Sequence, residues 1–157
     1  MRPVNRALPL LVAASLGAFL LLPAGGSAAT LNPEYLAAAN KACGKLLRKD
    51  VRLFKLGIKR YKEGDVDKAA HLFIASQRTQ LKEVKRVLAV PTLVEAQYDG
   101  RIAHWAQLSR GSARVRIRFS HAVLAGKSVG VLTKLDRRST SLGRQAAAVA
   151  ADIGFHC

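Results

Sequence analysis

The stretch Ala113-Arg114-Val115-Arg116-Ile117-Arg118-Phe119 decides between an all-α chain and one that contains sheet. Apolar and basic residues alternate through it, which is the period-two pattern of a half-buried strand. The flanking residues argue for helix. Leu108, Ser112, Val115, Phe119 and Ala122 recur every three or four positions and carry a single helical face through the stretch. A strand here would find no partner elsewhere in the chain, because no other segment alternates convincingly. The stretch therefore reads as helix, with Gly111 the expected position of any kink.

Working outward, capping signals divide the chain into four helices. Asn32 can cap a helix that starts at Pro33, where a missing amide proton costs nothing, and Glu34 suits the positive end of the helix dipole. This helix is expected to run to Glu63 and stop at Gly64. Asp65 can cap a second helix over about 66–90, ended by Pro91. Thr92 and Glu95 form a capping box for a third, over about 93–125. After Gly126, a fourth is expected over about 128–154. Its face of Val129, Leu132, Leu135, Ser139, Leu142, Ala146, Val149 and Ile153 bridges a polar stretch at 136–143. Four helices of similar length with tight turns predict an antiparallel up-down four-helix bundle. Leu56, Gly57, Gly64, Ala69 and Phe73 stand at spacings that resemble a tetratricopeptide helical hairpin. Of the positions one repeat further on, only Ala103 recurs, so the resemblance implies a helix–turn–helix packing signature and not a repeat array.

The bundle is expected to occupy residues 30–157, because residues 1–29 read as a cleavable export signal. Arg2 and Arg6 begin it, Ala7–Leu22 is apolar, and Ser27-Ala28-Ala29 offers small residues to a peptidase. The apolar run is shorter than the roughly 20 residues that span a bilayer and contains Pro9. Cleavage after Ala29 is expected, and after Ala28 fits almost as well. The protein should then work outside the cytoplasm, in the periplasm, cell envelope or medium. There, Cys43 and Cys157 meet oxidising conditions. A single disulfide between them suits an up-down bundle: Cys43 lies roughly 15 Å along the first helix, and the chain end could reach back to it.

The chain carries 26 Lys plus Arg against 10 Asp plus Glu, a formal charge of +16. Removing the signal takes away Arg2 and Arg6 and leaves the excess largely intact. It favours anionic surfaces or polymers and says nothing about fold. The excess is sharpest on the first helix. Lys41, Lys45, Arg48, Arg52, Lys55, Lys59 and Lys62 follow at alternating spacings of four and three, within an arc of about 100° and a length of about 32 Å. Like charges at i,i+4 repel, and a polyanion would relieve that repulsion. Aromatic side chains do not interleave with the stripe, so single-stranded nucleic acid lacks its usual stacking platforms. Lysine predominates, which suits diffuse attraction more than bidentate phosphate recognition.

One acid interrupts the apolar face of the same helix. Asp50 lies between Leu46, Leu47, Leu53 and Phe54, at a level that matches Gln77, Ser112 and Ser139 in an up-down bundle. Together these predict a buried polar layer, with Arg114 or Arg138 as the counter-ion to a carboxylate whose pKa burial would raise. The histidines offer no H-x-x-x-H or E-x-x-H pair, so no metal site or cofactor is expected. His71 and His121 could share the turn end near Tyr61, Asp67 and His71 should form a surface pair, and His104 and His156 should lie toward the other end.

No glycine-rich phosphate loop, nucleophile elbow or paired-carboxylate arrangement appears, so an enzyme is not expected. The sequence predicts an exported, monomeric, non-enzymatic bundle binding an anionic envelope polymer or membrane surface through its lysine-rich stripe. Two alternatives are a small-molecule, haem or metal carrier, using the polar layer or the His71/His121 end, and a structural protein-interaction domain with an apolar groove. The protein partner of such a domain is not specified by the sequence.

Overall fold

A computed structural model of the chain describes residues 31–91 and 100–156, apart from the Lys45 side chain. The export segment 1–29, the Thr92/Glu95 capping box and Cys157 lie outside the described residues. The described residues form four helices and no strand: α1 (Pro33–Lys62), α2 (Val66–Leu88), α3 (Gly100–Leu124) and α4 (Val129–Ile153). Helix α3 runs unbroken through Ala113–Phe119, so the alternating stretch is helical. Helical geometry separates its three arginines: Arg114 and Arg118 are exposed, whereas Arg116 turns inward.

Side chains close the helix ends where the sequence implies. Asn32 Oδ1 accepts hydrogen bonds from the amides of Glu34 at 2.9 Å and Tyr35 at 3.3 Å. Asp65 Oδ1 accepts from the Lys68 amide at 3.1 Å and so starts α2 directly after Gly64. Ser128 precedes α4 without making a side-chain cap. The end of α4 is the most fully determined. Gly154 takes φ +78°, a left-handed conformation that favours glycine. The Phe155 amide then reaches Ala150 O at 2.8 Å, and the Gly154 amide reaches Ala151 O at 3.3 Å. This pair of bonds is a Schellman closure, and it turns Phe155 back onto the core.

The helices pack in chain order: α1 on α2, α2 on α3, and α3 on α4. Tyr35, Ala39 and Cys43 from α1 meet Val84 and Val87 from α2, Ile102 and Trp105 from α3, and Ile153 with Phe155 at the chain end. The Phe155 ring stands edge-on to Trp105 at 5.0 Å and 87°, and also lies 6.3 Å from Tyr35. Asn40 secures this tail, donating to Gly154 O at 3.3 Å and accepting from the His156 amide at 2.8 Å.

Near the α1–α2 turn, Phe54 and Phe73 pack at 5.4 Å. Gly57 faces the Phe73 ring so closely that an added Cβ would lie 2.6 Å from Phe73 Cε1. The tetratricopeptide-like spacing thus corresponds to a close helix–helix contact that needs glycine. Gly57→Val is expected to lower stability by about 1–3 kcal/mol through overpacking. Urea denaturation checks this, and a change below about 0.5 kcal/mol would mean that the ring swings aside freely.

Candidate functional site

Two features stand out: a cationic face on α1 and a charged cavity between the helices. On the face, Lys41, Arg48, Arg52, Lys55, Lys59 and Lys62 are all exposed, while the Lys45 side chain lies outside the described residues. The cations are held parallel by an α-helix whose opposite side packs on α2. One acid touches the end of the stripe. Glu63 pairs with Lys59 at 3.9 Å and with Arg60 at 3.0 Å. Exposed pairs of this kind contribute only a few tenths of a kcal/mol, so the rest of the stripe keeps its mutual repulsion.

Residues of all four helices line a cavity of about 70 Å³. Leu47 and Asp50 come from α1, Glu83 and Val84 from α2, Trp105, Ser109, Ser112 and Arg116 from α3, and Gly143 with three alanines from α4. Small side chains on α4 leave the space. A Cβ on Gly143 would sit 3.5 Å from Arg116 Nη2 and 3.4 Å from Ser112 Oγ, ordinary contact distances, so α4 passes close beside both groups. Among the described residues the backbones of α1 and α4 are not closely packed along their length. The cavity lies where they face each other.

Of the expected polar layer, Gln77, Ser112 and Ser139 are buried and Asp50 is half-buried. They do not form one continuous chain of hydrogen bonds. On one side Ser76 Oγ donates to Asp50 Oδ1, and Gln77 Nε2 donates to Ser76 Oγ at 3.5 Å. On the other side Ser112 Oγ donates to Ser139 O at 3.0 Å, and Ser139 Oγ donates to Asp136 O at 2.9 Å. Backbone acceptors therefore serve Ser112 and Ser139, and Ser76 serves Asp50 and Gln77 Nε2, while Gln77 Oε1 is buried without a hydrogen-bond partner among the described residues. Ser76 is the partner that the level-matching argument missed by one residue.

The counter-ion is also different from the one expected. Arg114 and Arg138 are exposed, and the guanidinium that acts on Asp50 is Arg116, two residues along α3 from Arg114. Burial raises the Asp50 pKa, while the Ser76 hydrogen bond and the Arg116 charge pull it down. Burial in turn depresses the Arg116 pKa, which the charges of Asp50 and Asp136 push back up. Burial raises the Asp136 pKa too, against the pull of Arg116.

Glu83 completes the group and was not anticipated. It is only 4% exposed and lines the cavity. No hydrogen bond or ion pair to it forms among the described residues. Burial, with the Asp50 charge adding to it, lifts its pKa from 4.5 to about 7. A signal for it existed: Phe73, Ser76, Gln80, Glu83 and Val87 share one face of α2 at spacings of three and four.

The histidines stay apart from this centre. His71, His104, His121 and His156 are all exposed. His71 Nδ1 lies 2.8 Å from Asp67 O, so its partner is the backbone carbonyl of Asp67 instead of the carboxylate. Among the described residues no cluster of three or more His, Cys, Asp or Glu could hold a metal ion. No helix among them is long and apolar enough to cross a membrane. No protein-family model, curated protein or solved structure matches the chain.

Proposed function

We propose that the chain is an exported, non-enzymatic protein that binds an anionic envelope component, polymer or lipid headgroups, through the Lys/Arg stripe of α1. The observation that carries this reading is the exposure of Lys41, Arg48, Arg52, Lys55, Lys59 and Lys62 along one helix, where among the described residues the one acid paired with them is Glu63 at the end. A polyanion laid along them would relieve like-charge repulsion and release its own counterions. Exposed large apolar side chains offer less. Val51, Leu56, Leu88, Val129 and Val131 are spread over three helices, and scattered surface residues of this kind are ordinary. That favours an electrostatic surface over an apolar docking groove.

The same reading includes a monomeric, antiparallel up-down bundle, an export signal removed near Ala29, and a Cys43–Cys157 disulfide. The short connections after Lys62 and Leu124 and the packing of successive helices support the topology. The disulfide is supported by the chain end. Asn40 binds Gly154 and His156, and Cys43 lies buried one turn further along α1. Iodoacetamide in denaturant is expected to label neither cysteine until a reductant is added. Labelling without reductant would refute the crosslink.

Binding to an acidic polysaccharide and to phosphatidylglycerol vesicles, measured across salt, tests the main proposal. Affinity for at least one should fall by about tenfold or more between 50 and 200 mM salt. Reversing Arg48, Arg52 and Lys55 to glutamate should weaken it by at least about tenfold at low salt. Affinity that ignores both salt and charge reversal would reject the stripe as the binding face. The cavity at Asp50 and Glu83 favours a second reading that is compatible with the first, a carrier of a small molecule.

A further inference from the structure

We propose that the cavity between the four helices is a binding site for a small primary alkylammonium, its charge received by Asp50 and Glu83 and its short chain by Trp105 and the alanines of α4. This inference is independent of the α1 stripe, which lies on the opposite side of that helix.

The charges of the cavity wall set the sign of the ligand. Two carboxylates, Asp50 and Glu83, face one guanidinium, Arg116. Arg116 is also shared with Asp136 on α4. A single cation offsets the excess on the cavity wall itself, whereas an anion would add to it. Glu83 is the group that points to a ligand: the residue is only 4% exposed, its carboxylate opens on the cavity it lines, and it has no hydrogen-bond partner among the described residues. Buried ionisable groups are ordinarily paired. An ammonium supplies three donors, enough to reach both carboxylates and one of the two cavity serines, Ser109 or Ser112.

Size and apolar lining narrow the class. A cavity of about 70 Å³ is about half the size of one that holds benzene, which suits an ammonium with two or three carbons. Leu47, Val84, Trp105, Ala146, Ala147 and Ala150 provide apolar walls for that chain. The backbones of α1 and α4, which both line the cavity, are not closely packed on each other, and a ligand would enter between them. A metal ion fits less well, because only the two carboxylates could serve as strong ligands and an arginine stands beside them.

Trp105 is the chain's one tryptophan and lines the cavity, so its fluorescence reports occupancy directly. The full chain would be titrated with propylammonium chloride at pH 8, with sodium chloride holding ionic strength constant and propan-1-ol as the neutral isostere. A saturable change is expected with a Kd on the order of 0.1–1 mM, the range open to four heavy atoms. Propan-1-ol should bind at least about tenfold more weakly, because it lacks the charge. Binding should also weaken at pH 5, where Glu83 is protonated. Glu83→Gln should abolish it while leaving the helical circular dichroism unchanged. Ala147→Leu, which fills the cavity without altering its charge, should abolish it as well and decides the matter if Glu83→Gln does not fold. A flat titration, equal binding of the alcohol, or full affinity in a folded variant of either kind would overturn the proposal.

Discussion

Replacing Phe155 by alanine is expected to lower the unfolding free energy by about 3–5 kcal/mol, although the residue stands near the chain end. Terminal residues are ordinarily tolerant of change. Here the ring is 4% exposed, stands edge-on to Trp105 at 5.0 Å and touches the Tyr35 side of α1. The aromatic pairing alone is worth about 0.5–1.5 kcal/mol beyond the area it buries. Collapse of the site is hindered because Gly154, in its left-handed conformation, and Asn40 fix the backbone on both sides of the ring. Urea denaturation gives the magnitude, and Trp105 emission should shift to the red as water reaches the indole. A loss below about 1 kcal/mol with unshifted emission would mean that the tail is not part of the core. Asn40→Ala should cost less, about 1–2 kcal/mol, since it removes two hydrogen bonds and keeps the ring.

The helices were legible because their ends are written in side-chain chemistry. Asn32-Pro33 and Gly64-Asp65 each act within one turn, so local sequence suffices to place them. The face carried by Leu108, Ser112 and Val115 likewise outweighed the alternation in Ala113–Phe119, because a helical period sustained over many residues constrains more than a short period-two run. The core at the chain end was harder to read. Nothing local in Gly-Phe-His says that Phe155 will fold back. That depends on Asn40, more than a hundred positions earlier, presenting an amide to Gly154 and His156.

The charged centre was legible in part, for a geometric reason. Matching levels across helices fixes height to about one turn and leaves the rotation of each helix open. Level-matching therefore brings Asp50, Gln77, Ser112 and Ser139 to one height, where Asp50 is half-buried and the other three are buried, but it does not pick out Ser76, the neighbour of Gln77, as the residue that bonds Asp50. The same uncertainty exchanged Arg114 for Arg116, which differ by about 200° around α3. Glu83 escapes a reading by charge because an acid among Lys82, Lys85 and Arg86 resembles a surface residue until the face it shares with Ser76 and Val87 is traced.

Glu83→Gln is expected to stabilise the protein above pH 7 and to flatten its pH dependence below that point. The folded-state pKa of about 7 stands above the ordinary 4.5, so the folded chain binds more protons than the unfolded chain between those values. Stability contributed by this group is complete below about pH 4.5 and is lost as the pH rises through about 7. At about 1.4 kcal/mol per pKa unit, the loss has a ceiling of about 3 kcal/mol. Glutamine keeps the shape and removes the ionisation, so the variant should match the native chain at pH 4.5 and exceed it by about 1–3 kcal/mol at pH 8. Asp50 and Asp136 also have raised pKa values and should leave a shallower slope of the same sign. Urea midpoints at pH 4.5, 6, 7 and 8 check this, and parallel curves for the two proteins would show that Glu83 ionises as it would in water. The comparison also bears on the cavity ligand. Propylammonium should raise the midpoint of the native chain at pH 8, where an ionised Glu83 awaits a cation, and leave that of the glutamine variant where it was.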